Sequence, residues 1–366
     1  MRVLYLTNIP SPYRVNFFNE LGKLCELTVL FEARYSKERD KNWTSDIARN
    51  YKATFMKGIR CGVAEAICPE VIKYLSPNKY DLIVVGMYSS PTGMLAIEYM
   101  RIRKIKFILN TDGGIIKKDT PVVHKFKQHF VGSASAWLST GEMATDYLCH
   151  YGAKREKVYK YPFTSVAHDD IVSANSFSKS DKSLIRNMLG IPEEKKMVIS
   201  VGQFIYRKGF DILLEACREL DNNIEIYIIG GEPTEEYLNL KEKFELSNVH
   251  FVGFMTKDKL ADYYKAADVF VLPTREDVWG LVVNEAMAYG LPVVTTDMCG
   301  AGLEMIKTGE NGVIVPVNDP KKLALAINKA FEIDTNKVMT VAREYTIETM
   351  AKVHKQCFDN YLSRSV

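Results

Sequence analysis

The sequence predicts an α/β chain made of two doubly wound halves. Short apolar runs recur along it, among them Leu82–Val85 and Val269–Leu272. They are brief, rich in β-branched residues and bounded by turn residues, as buried parallel strands are. Most are followed by a loop and then by apolar residues at helical spacing. This alternation runs to about Tyr161, is interrupted by Ser165 to Lys182, rich in Ser and Asp, and restarts at Met197. The 366 residues are enough for two domains of ordinary size. The expected division is 1–165, a hinge at 166–190, and 191–345, with a last helix at about 346–366 packing back on the first domain.

In the first half, Arg2 to Thr7 reads as a strand. The double-proline turn Pro10–Pro12 leads into a helix around Val15 to Lys23. Cys25 to Phe31 and Tyr51 to Met56 read as strands, with a mobile charged loop carrying Trp43 between them. Val63 to Leu75 has helical period and stops before Pro77. Leu82–Val85 is a strand, and the helix after Pro91 runs to about Arg103. Lys106 to Leu109 and Ala134 to Ser139 are strands, Met143 to Tyr151 a helix, and Lys157 to Tyr161 a short strand.

In the second half, Ser183 to Leu189 is a short helix that stops at Gly190. Strands are expected at Met197 to Val201, Ile224 to Ile229, Val249 to Val252, Val269 to Leu272, Val293 to Thr296 and Gly312 to Val315. Helices are expected at Phe210 to Leu220, Tyr237 to Leu246, Leu260 to Ala267, Leu281 to Tyr289, Pro320 to Phe331 and Ile347 to Leu362.

Composition narrows the function classes. A net charge of +3 gives no global case for binding nucleic acid. The seven cysteines are scattered without metal-ligand spacing, so no metal is expected, and their odd number fits a reducing cytosol. The apolar run at the start is too short for a signal peptide, and nowhere do eighteen apolar residues follow one another. A cytoplasmic location follows, with the Asn42-Trp43-Thr44 sequon read as accidental.

The residues suited to chemistry cluster after strand ends, where open α/β sheets bind ligands. Asp277 lies in a charged turn after Pro273, and Glu285 lies about two helical turns further on, inside the small apolar stretch Asn284–Ala288. Two carboxylates there can accept hydrogen bonds from sugar hydroxyls at different depths. Arg207 and Lys208 sit in a loop before a helix, where guanidinium, ammonium and backbone N–H groups suit a diphosphate. Gly230 and the run Gly300-Ala301-Gly302 follow strands and bring backbone close to a ligand. The run lacks a third glycine, which disfavours nicotinamide cofactors. Asp112 opens a Gly-Gly turn after a strand and serves either as turn cap or as site residue.

The stretch 271–295 resembles the acid-x(7)-Glu signature of retaining glycosyltransferases of family four, which have the GT-B fold. Asp277 and Glu285 match its spacing; Gly280, Glu285-Ala286-Met287-Ala288 and Gly290 match its surroundings. The family usually has Glu where this chain has Asp277. It usually has Gly-Arg at Gly202-Gln203, with a Lys at the position of Lys208, and a His where Thr111 stands. The resemblance implies that Lys208 clamps the diphosphate of a nucleotide-sugar donor, with Arg207 compensating for Gln203. It implies that Glu285 binds ribose hydroxyls and Asp277 the sugar's hydroxyls. It also implies a glycine-rich loop at 300–302, two Rossmann-like domains facing a cleft, and no cofactor beyond the donor. The expected activity is transfer of a sugar, from UDP more than GDP, to a carbohydrate or lipid-linked hydroxyl in bacterial surface polysaccharide or glycolipid synthesis. A non-catalytic sugar-nucleotide-binding subunit is the alternative.

Two basic stretches, Arg101 to Lys106 and Lys117 to Phe130, carry interleaved apolar residues (Val122, Val123, Phe126, Phe130). Either they dock peripherally on an anionic membrane surface, or Lys117 to Phe130 is an ordinary amphipathic helix with its apolar face in the core. The second reading is preferred, because surface helices commonly show that pattern.

Overall fold

The computed structural model describes residues 1–34, 48–61, 65–171 and 179–364. Trp43, the sequon and most of the stretch expected to be a mobile loop fall outside them, as does 172–178 in the expected hinge. The chain forms two compact units. One is Met1–Ser165 with Thr346–Val366, and the other is Val166–Tyr345.

The first unit is a parallel sheet wrapped by helices. Its elements are β1 (Arg2–Thr7), α1 (Pro12–Gly22), β2 (Glu26–Phe31), β3 (Lys52–Phe55), β4 (Ile59–Arg60), β5 (Ala66–Ile67), β6 (Leu82–Val85), α2 (Pro91–Ile102), β7 (Ile108–Thr111), α3 (Pro121–Val131), β8 (Ala136–Ser139), α4 (Glu142–His150) and β9 (Val158–Lys160). The strand order is β3-β2-β1-β6-β7-β8-β9, so the winding reverses between β1 and β6. The final helix, α13 (Ile347–Ser363), lies on α1, where the buried His354 ring meets Phe17 at 4.6 Å and Tyr161 at 4.2 Å.

The second unit repeats the plan. Its elements are α5 (Lys179–Leu189), β10 (Lys196–Val201), α6 (Phe210–Cys217), β11 (Ile224–Ile229), α7 (Glu235–Lys243), β12 (Val249–Val252), α8 (Lys257–Ala266), β13 (Val269–Leu272), α9 (Leu281–Ala288), β14 (Val293–Thr296), α10 (Gly300–Met305), β15 (Gly312–Val315), α11 (Pro320–Ala330) and α12 (Thr335–Ala342). The order β12-β11-β10-β13-β14-β15 again reverses, here between β10 and β13. Phe210, Leu213, Ile226, Val271 and Ile327 are fully buried on the sheet. Asp268 ties α5 to the sheet. It accepts from Arg186 Nη2 at 2.7 Å and Lys182 Nζ at 2.6 Å, and from the Met197 amide at 2.7 Å.

The structure corrects three expectations. In the described part of the helix expected over Val63 to Leu75, from Glu65 on, the chain forms instead strand β5, paired antiparallel with β4, and a 3-10 turn at Pro69–Lys73. The amides a helix would use are claimed by tertiary partners: the Ala66 N–H donates to the Glu32 carboxylate and the Cys68 N–H to Thr92 Oγ1. The strand expected at Lys106 to Leu109 runs two residues later, so Asn110 and Thr111 belong to β7 and not to the loop after it. Finally, α3 buries only the last of its apolar side chains. Phe130 and Val131 are buried, but Val122, Val123 and Phe126 are exposed. Among the described residues no helix is long and apolar enough to cross a membrane.

Candidate active site

In the second unit, three loops meet past the carboxyl ends of the strands that flank the reversal of winding. The loop after β10 carries Arg207 and Lys208, the loop after β13 carries Asp277, and the loop after β14 leads to Gly300. Gly230, after β11, approaches the first of them so closely that a Cβ there would lie 1.8 Å from the Gly202 carbonyl oxygen. The two glycines thus allow neighbouring strand ends to touch.

Lys208 Nζ donates to Asp277 Oδ2 at 2.6 Å, and both side chains are nearly buried. Arg207 Nη1 lies 3.6 Å from Asp277 Oδ1 and donates to the Glu276 carbonyl at 2.7 Å. Two cations therefore converge on one carboxylate, leaving a local excess of positive charge in a poorly solvated place. A lysine ammonium has three donors, so Lys208 can hold Asp277 and an anion together.

Sequence reasoning passed over Arg275, which fixes this geometry. Its guanidinium grips Asp211 in a two-pronged ion pair (2.8 and 2.5 Å), donates to the Tyr206 carbonyl at 2.7 Å, bonds Asn318 at 2.8 Å and covers the Tyr206 ring at 3.9 Å. The Arg275 and Thr274 side of the β13 loop also bonds back to the Arg207 carbonyl, through the Arg275 N–H at 2.8 Å and Thr274 Oγ1 at 2.9 Å. The loop bearing the cations and the loop bearing the acid are one clamped assembly. Only its residue types, and not these partners, were visible along the chain.

The amides expected of Gly300 and Ala301 for a phosphate are already engaged. The Gly300 N–H donates to the Asp277 carbonyl at 3.0 Å and the Ala301 N–H to the Trp279 carbonyl at 2.7 Å. The Cys299 thiol beside them, which bonds the Trp279 carbonyl at 3.2 Å, is pushed up to about 11 by burial. The Gly300 and Ala301 amides thus strap the β13 loop in place and are not free for a phosphate. The neighbouring helix α9 differs. It starts at Gly280 in the left-handed region, φ 96°, with no side chain capping it. Of its first-turn amides that of Val283 donates to the Gly280 carbonyl at 2.8 Å, and those of Leu281 and Val282, at the very start, are directed along the positive end of the dipole.

Glu285 is half-buried on α9 and accepts from Tyr264 OH at 3.3 Å. Burial, then the Glu285 charge, holds the Tyr264 hydroxyl well above its usual pKa, so it stays a donor. Gln203 is exposed beside Gly202.

In the first unit, Asp112 is no simple turn cap. It forms an ion pair with Arg14 of α1 and accepts from Tyr13 OH at 3.5 Å. Burial works against the Arg14 charge, but Asp112 and Tyr13 outweigh it and its pKa is raised. The turn itself is capped by Thr111, whose Oγ1 accepts from the Gly113 N–H at 3.2 Å. Among the described residues no group of three His, Cys, Asp or Glu is placed to hold a metal ion.

Comparison with known proteins agrees with this picture. Residues 181–348, which contain Lys208, Arg275, Asp277 and Glu285, match the family "Glycosyl transferases group 1". An uncharacterized glycosyltransferase of Methanocaldococcus jannaschii, MJ1607, is 26% identical over 297 residues, 76% of this chain and 75% of the relative. A D-inositol 3-phosphate glycosyltransferase of Streptomyces bingchenggensis is 28% identical over 279 residues, 69% of this chain but 59% of the relative's length. Among solved structures, Anabaena Alr3699/HepE in complex with UDP superposes with a TM-score of 0.73 at 18% identity, over 99% of this chain and all of that one, which shows the fold. The two parallel sheets give the chain the GT-B fold, and its segment 181–348 is similar to the group 1 glycosyl transferases.

Proposed function

We propose that the chain moves a sugar, with retention of configuration and without a metal, from a nucleotide-diphosphate sugar to a hydroxyl acceptor. The observation that carries the reading is the convergence of Lys208 and Arg207 on Asp277 beside the uncapped start of α9. The bond that breaks joins the sugar's anomeric carbon to the diphosphate, and negative charge grows on the leaving oxygen. Lys208, Arg207 and the first amides of α9 are suited to hold that charge. Asp277 would then share Lys208 with the diphosphate and accept from the sugar's hydroxyls, and Glu285 would accept from the ribose. No protein nucleophile is assigned.

UDP is the favoured nucleotide, since the fold neighbour HepE was solved with UDP. The acceptor class, a carbohydrate or lipid-linked hydroxyl in surface glycan assembly, is carried by the sequence resemblance, as is a cytoplasmic setting.

The test is a panel of nucleotide sugars, scored by thermal shift and by nucleotide release, on the wild type, Lys208→Ala and Glu285→Ala. One donor should stabilise the wild type, both variants should lose that shift, and an acceptor extract should release nucleotide. No shift with any nucleotide or nucleotide sugar would sink the donor site. Binding without turnover on any acceptor would favour a non-catalytic subunit.

A further inference from the structure

The first unit carries a surface for which the sugar-transfer reading has no use. The apolar crest of α3 faces solvent: Val122 is 77% exposed and Phe126 49%. The helix is well made, with Pro121 at its first position and Thr120 accepting the Val123 N–H at 3.4 Å, so the exposure is not fraying. Val122, Phe126 and His129 are spaced i, i+4, i+7 and lie on one stripe. His129 reaches α2, where its ring nitrogen meets Arg101 Nη1 at 2.9 Å and the Glu98 carboxylate. The stripe thus leads to a cavity of about 400 Å3 lined by Arg101, Ile102, Lys104, Lys106, Ser133 and Ser135, among others.

This cavity sits beside Phe107 and Ser135, at the amino ends of β7 and β8. Asp112 and Thr140 follow the carboxyl ends of the same strands, so cavity and candidate site residues lie at opposite edges of the sheet. Arg101 is neutralised by Glu98 at 2.8 Å. Lys104 and Lys106 have no ion-pair partner among the described residues. The carboxyl end of α2 offers about half a negative charge to nearby cations, less than the two unpaired ammonium groups bring. Ile102, on the rim, is 77% exposed, and Lys125 on α3 and Lys117 and Lys118 just before it are exposed.

We propose that this face docks on an anionic lipid bilayer. Val122, Phe126 and Ile102 enter the interfacial layer, the lysines meet the surface charge, and a lipid phosphate occupies the cavity between Lys104, Lys106 and Ser135. The charge pattern selects this occupant. A second copy meeting the same face would set cation against cation, because a two-fold contact pairs a patch with itself. A helix crest with isolated apolar side chains in a field of lysines is the form that interfacial helices take. The inference does not rest on the sugar-transfer reading.

The test is co-sedimentation of the full chain with vesicles of phosphatidylcholine alone and of phosphatidylcholine mixed with phosphatidylglycerol. Binding is expected to the mixed vesicles only, and to weaken as salt is raised. The double variant Lys104→Ser/Lys106→Ser should bind about thirtyfold more weakly, from the usual contribution of a basic residue at an anionic surface. Val122→Ser/Phe126→Ser should bind at least about tenfold more weakly, from the loss of buried apolar area. All four positions are exposed, so melting temperatures and the nucleotide-sugar thermal shift should not change. Failure to bind mixed vesicles, equal binding to neutral ones, or full retention by both variants would overturn the proposal. So would a change from dimer to monomer in the variants, which would assign the face to self-association. Binding of inorganic phosphate in the cavity without vesicle binding would assign it to a soluble phosphate ligand and overturn the docking.

Discussion

The two units solve one problem with different parts. Each is a parallel sheet whose winding reverses once, and each brings a cation from the segment after a central strand, a loop for Lys208 and the first turn of α1 for Arg14, to an acid that follows a later strand. In the second unit β10 and β13 are neighbours, so a lysine spans the gap: Lys208 reaches Asp277 at 2.6 Å with both side chains nearly buried. In the first unit β6 stands between β1 and β7, the acid is one strand further away, and the longer forked Arg14 makes the connection to Asp112. The comparison separates a compact, heavily strapped anion site from a wider one whose charges cancel pairwise. A neutral, hydroxyl-bearing ligand suits the second arrangement better than a phosphate does.

The largest expected effect falls on the strapped site. Lys208→Ala should lower kcat/KM for the donor by 10²- to 10³-fold, the usual cost of one preorganised donor to a developing anion, as read by nucleotide release. An equal loss from Arg14→Ala would break the contrast and make both cation–acid pairs part of one donor site.

Next comes pH, because two buried groups of the first unit, His354 and Glu32, have pKa values moved in opposite directions between about 4 and 7. Burial depresses the His354 pKa to about 4, while its Nδ1 bonds the Met350 carbonyl and its Nε2 has no hydrogen-bond partner. An unfolded chain binds a proton there near the ordinary pKa of about 6.5, so stability is lost as pH falls from there to about 4, by up to about 3 kcal/mol. Burial raises Glu32 to about 7, against bonds from Ser90 and the Ala66 amide. Its contribution is therefore complete below the unfolded pKa of about 4.5 and is lost as pH rises through 7, by up to about 3 kcal/mol. Between these limits the slopes oppose. Urea denaturation of the wild type should be nearly flat from pH 5 to 6.5. Glu32→Gln should unmask loss of stability toward acid, and His354→Leu loss toward neutral pH. Unchanged slopes in both variants would remove the argument.

A smaller effect is expected at the clamp. Arg275→Ala should lower the stability of the second unit by about 2 kcal/mol, through the unpaired Asp211 and the freed loop carbonyls. It should also raise the donor KM through the loosened loops, which tests whether the strapping shapes the site. The smallest is Arg14→Lys, which keeps the charge but loses the fork. It should raise acceptor KM a fewfold, worth about 1 kcal/mol, and leave the donor thermal shift unchanged. A donor effect here would count against the division of labour between the units.

Much of the second unit was legible along the chain. Apolar runs, helical spacing and stops such as Gly290-Leu291-Pro292 are local signals, and so is the Asp277-to-Glu285 interval. The failures share one cause, which is competition from residues distant in sequence. Val63 to Leu75 has helical period, but Glu32 and Thr92 take its amides. Gly300 and Ala301 read as a phosphate-binding turn, but the carbonyls of Asp277 and Trp279 occupy their donors. Arg275 and Arg14 read as ordinary charges until Asp211 and Asp112 arrive beside them. The crest of α3 reads as a core face because periodicity records which residues share a side, not what lies opposite.

The sequence by itself determined the class of fold, the order of nearly all its elements, and the residue types at the strand ends. Those follow from backbone propensity and from burial of apolar runs, which act over a few residues. Only the tertiary structure decided which cation meets which acid, which amides remain free at a helix start, and which amphipathic face is left in water. Each of these depends on what another part of the chain places within hydrogen-bonding or packing distance.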